Sequence, residues 1–232
     1  MMSGGYMGYM IVAGLMSLIG MFVSGRLKSK FAHYSKVPTQ RGLSGREVAE
    51  SMLSSNGIHD VQVVESKGFL SDHYNPMNKT VALSPDVYHG RSVAATAVAA
   101  HECGHAVQHA TAYPLLKLRS GLVPLVKVSS KAQQWLLFLA LGGFGAGASG
   151  SNTILMITIV AFAVTALFSF ITLPVEFDAS RRALLWVDQS GVVAGEEYTG
   201  AKDALQWAAM TYVAAALSAL VMLLYLVMRM RD

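Results

Sequence analysis

The sequence predicts a mainly α-helical integral membrane protein with about four transmembrane helices and a small α+β cytoplasmic domain. Its 232 residues are 53% hydrophobic and only 14% charged, whereas about a quarter of the residues in a typical soluble domain are charged. The mean hydropathy is +0.43. The chain also contains several long runs without a charged residue, and a membrane-spanning helix needs about 20 mostly apolar residues.

The composition excludes several other classes of protein. A chain this rich in apolar residues has enough surface to bury and is not disordered. A single cysteine cannot form a disulfide framework within the chain. The net charge is +4, but no basic stripe with interleaved aromatic residues accompanies it, so we expect contact with membrane lipid and no nucleic-acid partner.

Four uncharged runs are candidate spans, and they cover residues 6–24, 135–149, 153–173 and 208–228. The second run is short and rich in glycine, and about 15 apolar residues can also form a buried core helix. The first run lies where a secretory signal would lie. It has no basic residue before it and no A-x-A cleavage site after it, so we interpret it as a retained anchor.

The Lys and Arg residues predict the orientation of the spans. Of the 18, 16 lie in segments 25–134 and 174–207, which four spans would place on the same side of the membrane. The positive-inside rule makes that side cytoplasmic, although Arg229 and Arg231 do not fit it. The predicted organisation is an N-terminal anchor (1–25), a cytoplasmic domain (26–134), a transmembrane hairpin (135–173), a second cytoplasmic segment (174–207) and a C-terminal transmembrane helix (208–232).

The cytoplasmic domain begins with a predicted helix whose two ends are marked in the sequence. Ser44 and Glu47 form a capping-box pattern, in which each side chain binds a backbone N–H group at the start of a helix. Apolar residues follow at helical spacing. Asn56 and Gly57 end the helix, because these residue types accept the left-handed conformation found after many helices.

The rest of this domain is predicted to contain two strands and two helices. Residues 61–65 and 80–83 have the composition of short strands, and a long polar loop, 67–78, separates them. Residues 92–110 are rich in Ala and Val and predict a buried helix. The apolar run 115–128, which carries three basic residues, either lies on the membrane surface or begins the second span.

The Ala-rich helix contains the sequence His101-Glu-Cys-Gly-His105, an HExxH motif. Residues four apart lie on one face of a helix, so both imidazoles can bind one metal ion. Zinc favours neutral imidazole nitrogens and keeps one position open for water in catalytic sites. Glu102 could accept a proton from that water. The alternative is a buried helix with two hydrogen-bonded histidines.

The surroundings of the motif favour a metal over that alternative. Two histidines and a glutamate buried among alanines would be costly without a partner, and a metal supplies one. Gly104 inside a helix costs about 1 kcal/mol relative to Ala, which close approach of another backbone or of a substrate would explain. Cys103 faces away from His101, so we interpret it as a small core residue and not as a ligand.

A third zinc ligand must come from elsewhere in the chain, and we predict Glu176. It follows Pro174 at the end of the third span, where an acid needs a partner. The alternative is an interfacial carboxylate that faces water. Because the HExxH motif precedes the second span, Glu176 can meet it only if residues 135–173 cross the membrane and return, or stay on one side.

With these residues in view, the chain resembles the YugP-type family of bacterial membrane zinc metallopeptidases. The resemblance runs from about Tyr34 to Tyr225 and includes the HECGH motif, the Leu-Pro-Val-Glu-Phe-Asp-Ala-Ser run at 173–180 and the Ser-Asp-His-Tyr-Asn-Pro run at 71–76. It implies a zinc peptidase of the bacterial cell membrane that acts on proteins or peptides. It also implies a zincin-like domain with ligands at His101, His105 and Glu176, and Glu102 as the base.

The layout also resembles the broader HtpX-type gluzincin membrane proteases. In that group an Asp four residues after the glutamate ligand orients a zinc-bound histidine. Here that position is Ser180, which shares a helix face with Glu176, whereas Asp178 points about 200° away. We therefore expect Ser180 near the metal ligands, and a role for an acid there is in doubt.

Other polar residues are candidates for stabilising the oxyanion of the reaction. His73 and Tyr74 lie in the long loop, for which a simple turn at Asn75-Pro76 is an equal alternative. Arg181 is a weaker candidate. His109, one turn after His105, is interpreted as a helix-end histidine. Strand 80–83 precedes the zinc helix, and in zinc proteases of this layout such a strand forms an exposed edge that pairs with the substrate.

Two other classes of function were weighed against the peptidase. A membrane scaffold or adaptor with a structural zinc needs no base, and structural zinc sites usually have four protein ligands. A channel or transporter would be signalled by charges within the spans, and the clear spans contain none. The sequence therefore favours a zinc endopeptidase.

Overall fold

The computed structural model describes residues 4–142 and 151–231, and these form a mainly helical protein with one small sheet. The helices are α1 (Gly4–Tyr34), α2 (Gly45–Ser55), α3 (Pro85–Tyr88), α4 (Val93–Ala110), α5 (Pro114–Gly142), α6 (Ser151–Gln189) and α7 (Glu196–Arg231). The strands are β1 (Gln62–Glu65), β2 (His73–Asn75) and β3 (Thr80–Leu83).

Three helical segments among the described residues are long and apolar enough to cross a membrane. They are Met7–Tyr34, Thr153–Gln189 and Glu196–Arg231. The first overlaps the first predicted span except for residue 6, and the other two contain the third and fourth predicted spans. Part of the second predicted span, residues 143–149, lies outside the described residues. The run at 115–128 belongs to the same helix as residues 135–142. Four spans and a cytoplasmic domain remain predictions.

The chain divides into two compact units. The first, which we call the apolar unit, lies within residues 1–23, 118–173 and 211–232. Its helices pack through small residues such as Ala161, Ala166 and Ala214, which are buried. The Gln133 side chain also joins α5 to α6 by donating to the Ala161 carbonyl at 2.8 Å.

The second unit, which we call the sheet unit, lies within residues 24–117 and 174–210. Its α2 helix begins and ends as predicted: Ser44 and Glu47 form both bonds of the capping box, and Asn56 is the C-cap. Gly57 has a φ of +70°. The helix predicted at 92–110 is also found, as α4, with the Ser92 side chain accepting from the Ala95 N–H group.

The sheet has the strand order β1-β3-β2. β1 pairs with β3 in parallel and β2 pairs with β3 in antiparallel fashion. The strands predicted at 61–65 and 80–83 are therefore confirmed, and β2 was missed because its three residues lie in a polar loop without strand composition. The expectation that 80–83 forms an exposed edge is wrong, because β3 is paired on both sides. Among the described residues, β1 and β2 are the outer strands.

Candidate metal centre

Helix α4 presents two histidines of the HExxH motif to the same side. The rings of His101 and His105 have centroids 4.9 Å apart and are almost perpendicular, at 82°. The helix holds them together because positions i and i+4 lie one above the other on its surface. Their Nε2 atoms converge on one carboxylate.

That carboxylate belongs to Glu176 of α6, which is 2% exposed. Its Oε2 atom lies 3.3 Å from Nε2 of His101 and 3.5 Å from Nε2 of His105. The three potential ligand atoms lie within 4.8 Å of one another, so this group could hold a metal ion. Helix α6 continues through Pro174 and thereby carries Glu176 to the histidines.

The two distances from the Glu176 oxygen to the imidazole nitrogens fit a tetrahedral metal. Charge-assisted hydrogen bonds between nitrogen and a carboxylate oxygen are about 2.7–2.9 Å long, and the distances from Glu176 to His101 and His105 are 3.3 and 3.5 Å. Two ligands of zinc at about 2.0–2.1 Å, separated by a tetrahedral angle, lie about 3.3 Å apart. The two imidazoles and the carboxylate are also ligand types that zinc prefers.

Close packing of two helix backbones brings Glu176 to the motif. A Cβ atom added to Gly104 of α4 would lie 2.5 Å from the backbone oxygen of Ala179 in α6. Only glycine permits this approach without a shift of one helix. The sequence expectation that another backbone lies against Gly104 is therefore confirmed.

The electrostatics of the cluster are dominated by Glu176. Burial disfavours the charged form of the His105 ring. The Glu176 carboxylate against its Nε2 atom outweighs that effect and holds the pKa of His105 above its ordinary value. In the metal-free protein the Glu176 carboxylate thus stabilises positive charge on the His105 ring, and a bound cation would take over that charge.

Glu102 follows His101 on α4 and is 8% exposed. Its carboxylate forms no hydrogen bond or ion pair with any residue of the described ranges 4–142 and 151–231. A carboxylate that is buried beside two histidines and has no protein partner can accept a proton from a bound molecule.

Ser180 and Gln108 contact the far nitrogens of the two rings. The Ser180 hydroxyl lies 3.1 Å from Nδ1 of His101, so the predicted neighbour of the ligands is found beside one of them. Oε1 of Gln108 lies 3.0 Å from Nδ1 of His105. Sequence reasoning missed Gln108, and its position three residues after His105 is the only signal that could have pointed to it.

Arg181 does not join the ligand cluster. Its side chain is 67% exposed, and Nη2 lies 2.6 Å from Oδ1 of Asp178. Asp178 also accepts from Gln108. Although Asp178 points away from Glu176 on the helix, it reaches His105 indirectly, through the Gln108 amide.

His73 and Tyr74 lie in β2. The His73 ring is exposed and its Nδ1 atom lies 2.8 Å from the Ser71 carbonyl oxygen, away from the ligand cluster. The Tyr74 hydroxyl lies 2.7 Å from Nδ1 of His109, one helical turn beyond His105. A role of His73 or Tyr74 at an oxyanion stays a prediction.

Cys103 lies in the core of the sheet unit. Its thiol donates to the Ala49 carbonyl oxygen over 3.6 Å, and burial raises the pKa of the thiol far above its ordinary value. It is a core residue, as expected from its face of the helix.

Comparisons with known proteins identify the family. Residues 9–231 match the family described as "Putative neutral zinc metallopeptidase". The chain is 43% identical over 203 residues to the "Putative membrane protease YugP" of Bacillus subtilis (strain 168), and the match covers 88% of each chain. No solved structure matches the chain. The match over nearly the whole length shows that the chain belongs to this family of zinc metallopeptidases.

Proposed function

We propose that this protein is an integral-membrane zinc endopeptidase that hydrolyses peptide bonds near the cytoplasmic surface of the bacterial cell membrane. The observation that carries the proposal is the buried cluster of His101, His105 and Glu176. Glu102 lies on the same helix as the two histidines, and its carboxylate has no hydrogen-bond partner among the described residues. Membership of a family described by zinc peptidase activity supports it. The distribution of Lys and Arg supports the cytoplasmic side.

Each residue of the cluster has a distinct role in this proposal. His101 and His105 would hold zinc through Nε2, and Glu176 would hold it through a carboxylate oxygen, with a position left for water. Bound zinc would polarise a peptide carbonyl and lower the pKa of that water. Glu102 accepts a proton from the water as its oxygen attacks the carbonyl carbon, and then delivers it to the departing amine.

The outer strand β2 is our candidate for the edge that binds an extended substrate. β3 is paired on both sides, so it cannot serve. β2 has one paired side, and its Tyr74 hydroxyl contacts His109 on the metal-binding helix. Main-chain hydrogen bonds to an outer strand can hold a peptide of almost any sequence. Membrane proteins and segments near the membrane are the substrates that we propose.

The alternative, a scaffold with a structural zinc, is less well supported. Structural zinc sites usually have four protein ligands and no base. In the described part of the chain, the one His/Cys/Asp/Glu group that could hold a metal supplies three residues. Glu102, the candidate base, lies on the same helix as the two histidines of this group.

The proposal is tested with the full-length protein in detergent and a fluorescein-labelled casein as the substrate. The Glu102→Gln variant should keep about one zinc per chain and lose activity by roughly 100- to 10,000-fold, the usual contribution of a general base. The matched control is Glu50→Gln, because Glu50 is paired with Arg46 on the surface of α2. Activity of Glu102→Gln equal to that of the wild type would overturn the mechanism.

Metal analysis of the same preparations tests the ligands. We expect His101→Ala and Glu176→Ala to bind no zinc at concentrations that saturate the wild type. Zinc retained by Glu176→Ala alone would move the third ligand elsewhere in the chain. A wild-type protein that takes up no zinc would favour the scaffold.

A further inference from the structure

Gln108 is a fully buried polar side chain, with an exposed fraction of 0%. Its Nε2 atom donates to the Val175 carbonyl oxygen at 2.8 Å and to Oδ2 of Asp178 at 2.9 Å. Its Oε1 atom lies 3.0 Å from Nδ1 of His105. Both N–H groups of the amide and its oxygen therefore have partners, which is the condition for burying an amide at little free-energy cost.

These contacts determine which way the amide faces. The Val175 carbonyl and the Asp178 carboxylate can only accept hydrogen bonds, so the NH₂ group of Gln108 must point toward them. The opposite orientation would place the amide oxygen against two acceptors. The oxygen therefore faces His105, and Nδ1 of that ring must carry the proton that it accepts.

This proton decides the chemistry at the other side of the ring. A neutral imidazole carries one proton, so an Nδ1–H group leaves Nε2 with a free electron pair. That Nε2 atom is the one 3.5 Å from the Glu176 carboxylate. The Gln108 amide thus favours the tautomer of His105 that can bind a metal in the cluster.

Asp178 in turn holds the amide. The carboxylate is 9% exposed and pairs with Nη2 of Arg181 at 2.6 Å and with Nε of Arg182 at 2.5 Å. Two guanidinium groups therefore fix the acceptor to which Gln108 donates. The series of contacts runs from the two arginines through Asp178 and Gln108 to His105, and it links α6 to α4.

The Nδ1 atoms of the two histidines have different kinds of hydrogen-bond partner. Nδ1 of His101 has the Ser180 hydroxyl as its partner, and a hydroxyl can either donate or accept a hydrogen bond. Ser180 therefore does not determine the tautomer of His101. At Nδ1, the nitrogen away from Glu176, only His105 faces a group that must accept, so only at His105 does a protein partner favour the tautomer that can bind a metal.

We propose that Gln108 and Asp178 are positioning residues that fix the tautomer and the ring orientation of His105 for metal binding. The inference rests on the proposed zinc site. Partners of this kind typically contribute 10- to 100-fold to metal affinity. In this role Gln108 and Asp178 act through His105.

Zinc affinity, measured by competition with a chromogenic chelator on the full-length protein in detergent, gives the first test. We expect Gln108→Met, which keeps the shape and removes the amide, to raise the Kd for zinc by about 10- to 100-fold. The matched control is Gln133→Met. Gln133 also donates to a backbone carbonyl between two helices, but in the apolar unit, and its loss should leave the Kd unchanged.

An exchange of the two groups separates positioning from packing. Gln108→Glu alone sets a carboxylate against the carboxylate of Asp178 and should weaken zinc binding. Adding Asp178→Asn restores a hydrogen bond between the two positions, with the donor and the acceptor exchanged. The amide introduced at position 178 can donate to the carboxylate introduced at position 108. The double variant should therefore bind zinc more tightly than Gln108→Glu. Additive losses from the two substitutions would overturn the proposed contact.

Nitrogen NMR of ¹⁵N-histidine-labelled, metal-free Glu176→Ala protein tests the tautomer without zinc and without the carboxylate that competes for a proton at Nε2. The neutral His105 ring should be protonated at Nδ1, and adding Gln108→Met should give a mixture of tautomers. An unchanged tautomer and an unchanged Kd in Gln108→Met would overturn the inference. An Nδ1–H tautomer in Glu176→Ala, together with a wild-type protein that binds no zinc, would instead overturn the proposed function.

Discussion

Gly104 of α4 and Ala179 of α6 are in backbone contact: a Cβ atom at residue 104 would lie 2.5 Å from the Ala179 oxygen. This contact lies between the elements that supply the metal ligands. His101 and His105 flank Gly104 on one helix, and Glu176 lies one turn before Ala179 on the other. The missing side chain of Gly104 therefore determines how closely the carboxylate approaches the imidazoles.

We predict that Gly104→Ala separates the two helices and weakens zinc binding. Overpacking of this kind costs about 1–3 kcal/mol, because the atom in the way belongs to a backbone. The thermal midpoint should fall, and zinc content after dialysis should fall with it. Both are measurable on the purified protein, by tryptophan fluorescence and by metal analysis.

Gly121→Ala is the matched control for that substitution. Gly121 lies inside α5, and a Cβ atom there would meet nothing within 4 Å. Alanine is a better helix former by about 1 kcal/mol, so this variant should be equally or more stable and should keep its zinc. Equal behaviour of the two variants would show that the contact with Ala179 does not control the site.

Removal of the metal should lower the thermal stability. A ligand that binds only the folded state stabilises it by about 2.7 kcal/mol at 100 times its Kd, which corresponds to roughly 5–10 °C for a chain of this length. We expect zinc added to chelator-treated protein to raise the midpoint by that amount. His101→Ala, which lacks a ligand, should show no shift. A shift that persists in this variant would place the stabilising metal elsewhere.

The parts of this protein that could be predicted from its sequence depend on local periodicity. The HExxH histidines lie together because the helical repeat places them so, and the ends of α2 follow from Ser44, Glu47 and Asn56. Glu176 completes the candidate site. The sequence indicates it because a carboxylate at the end of an apolar run needs a partner. These inferences required no knowledge of how helices pack.

The parts that could not be predicted depend on contacts between distant residues. Gln108 is an ordinary helix residue until α6 supplies Val175 and Asp178 as acceptors. The helical repeat places Asp178 away from Glu176. It does not show that the amide side chain of Gln108 connects Asp178 to His105. The sequence does not predict β2, because pairing between strands is not encoded in three polar residues. Without β2, the central position of β3 cannot be predicted either.

Cys103 should not react with thiol reagents in the folded protein. It is fully buried, and burial raises the pKa of its thiol, so little thiolate is present or reachable. We expect no labelling by a soluble maleimide at a pH of about 7.5 and complete labelling in denaturant. Removal of zinc should not change this result. A Ser54→Cys variant, with Ser54 exposed on α2, should add one reactive thiol, and labelling of Cys103 in the native protein would contradict its place in the core.

Asp72 gives a prediction about pH and stability. Its carboxylate accepts from the Ser84 N–H group at 2.7 Å and from the Ser84 hydroxyl, but burial outweighs these bonds and raises the pKa of Asp72. The protonated form of Asp72 therefore stabilises the fold relative to the ionised form. This contribution is fully present at a pH below the ordinary pKa of about 3.9. That contribution is lost as the pH rises through the folded-state pKa.

Asp72→Asn does not ionise, so its stability relative to the wild type should increase from about pH 4 upward and then level off. Thermal midpoints in detergent between about pH 4 and pH 8 measure this difference.

The control is Asp60→Asn, because hydrogen bonding to the Lys79 ammonium lowers the pKa of Asp60. The stability contribution of Asp60 is present above its ordinary pKa and is lost only as the pH falls through the lower folded value, so the control difference should be nearly constant above about pH 5. A difference for Asp72→Asn that falls with rising pH would mean that the hydrogen bonds from Ser84 stabilise the carboxylate by more than burial opposes it.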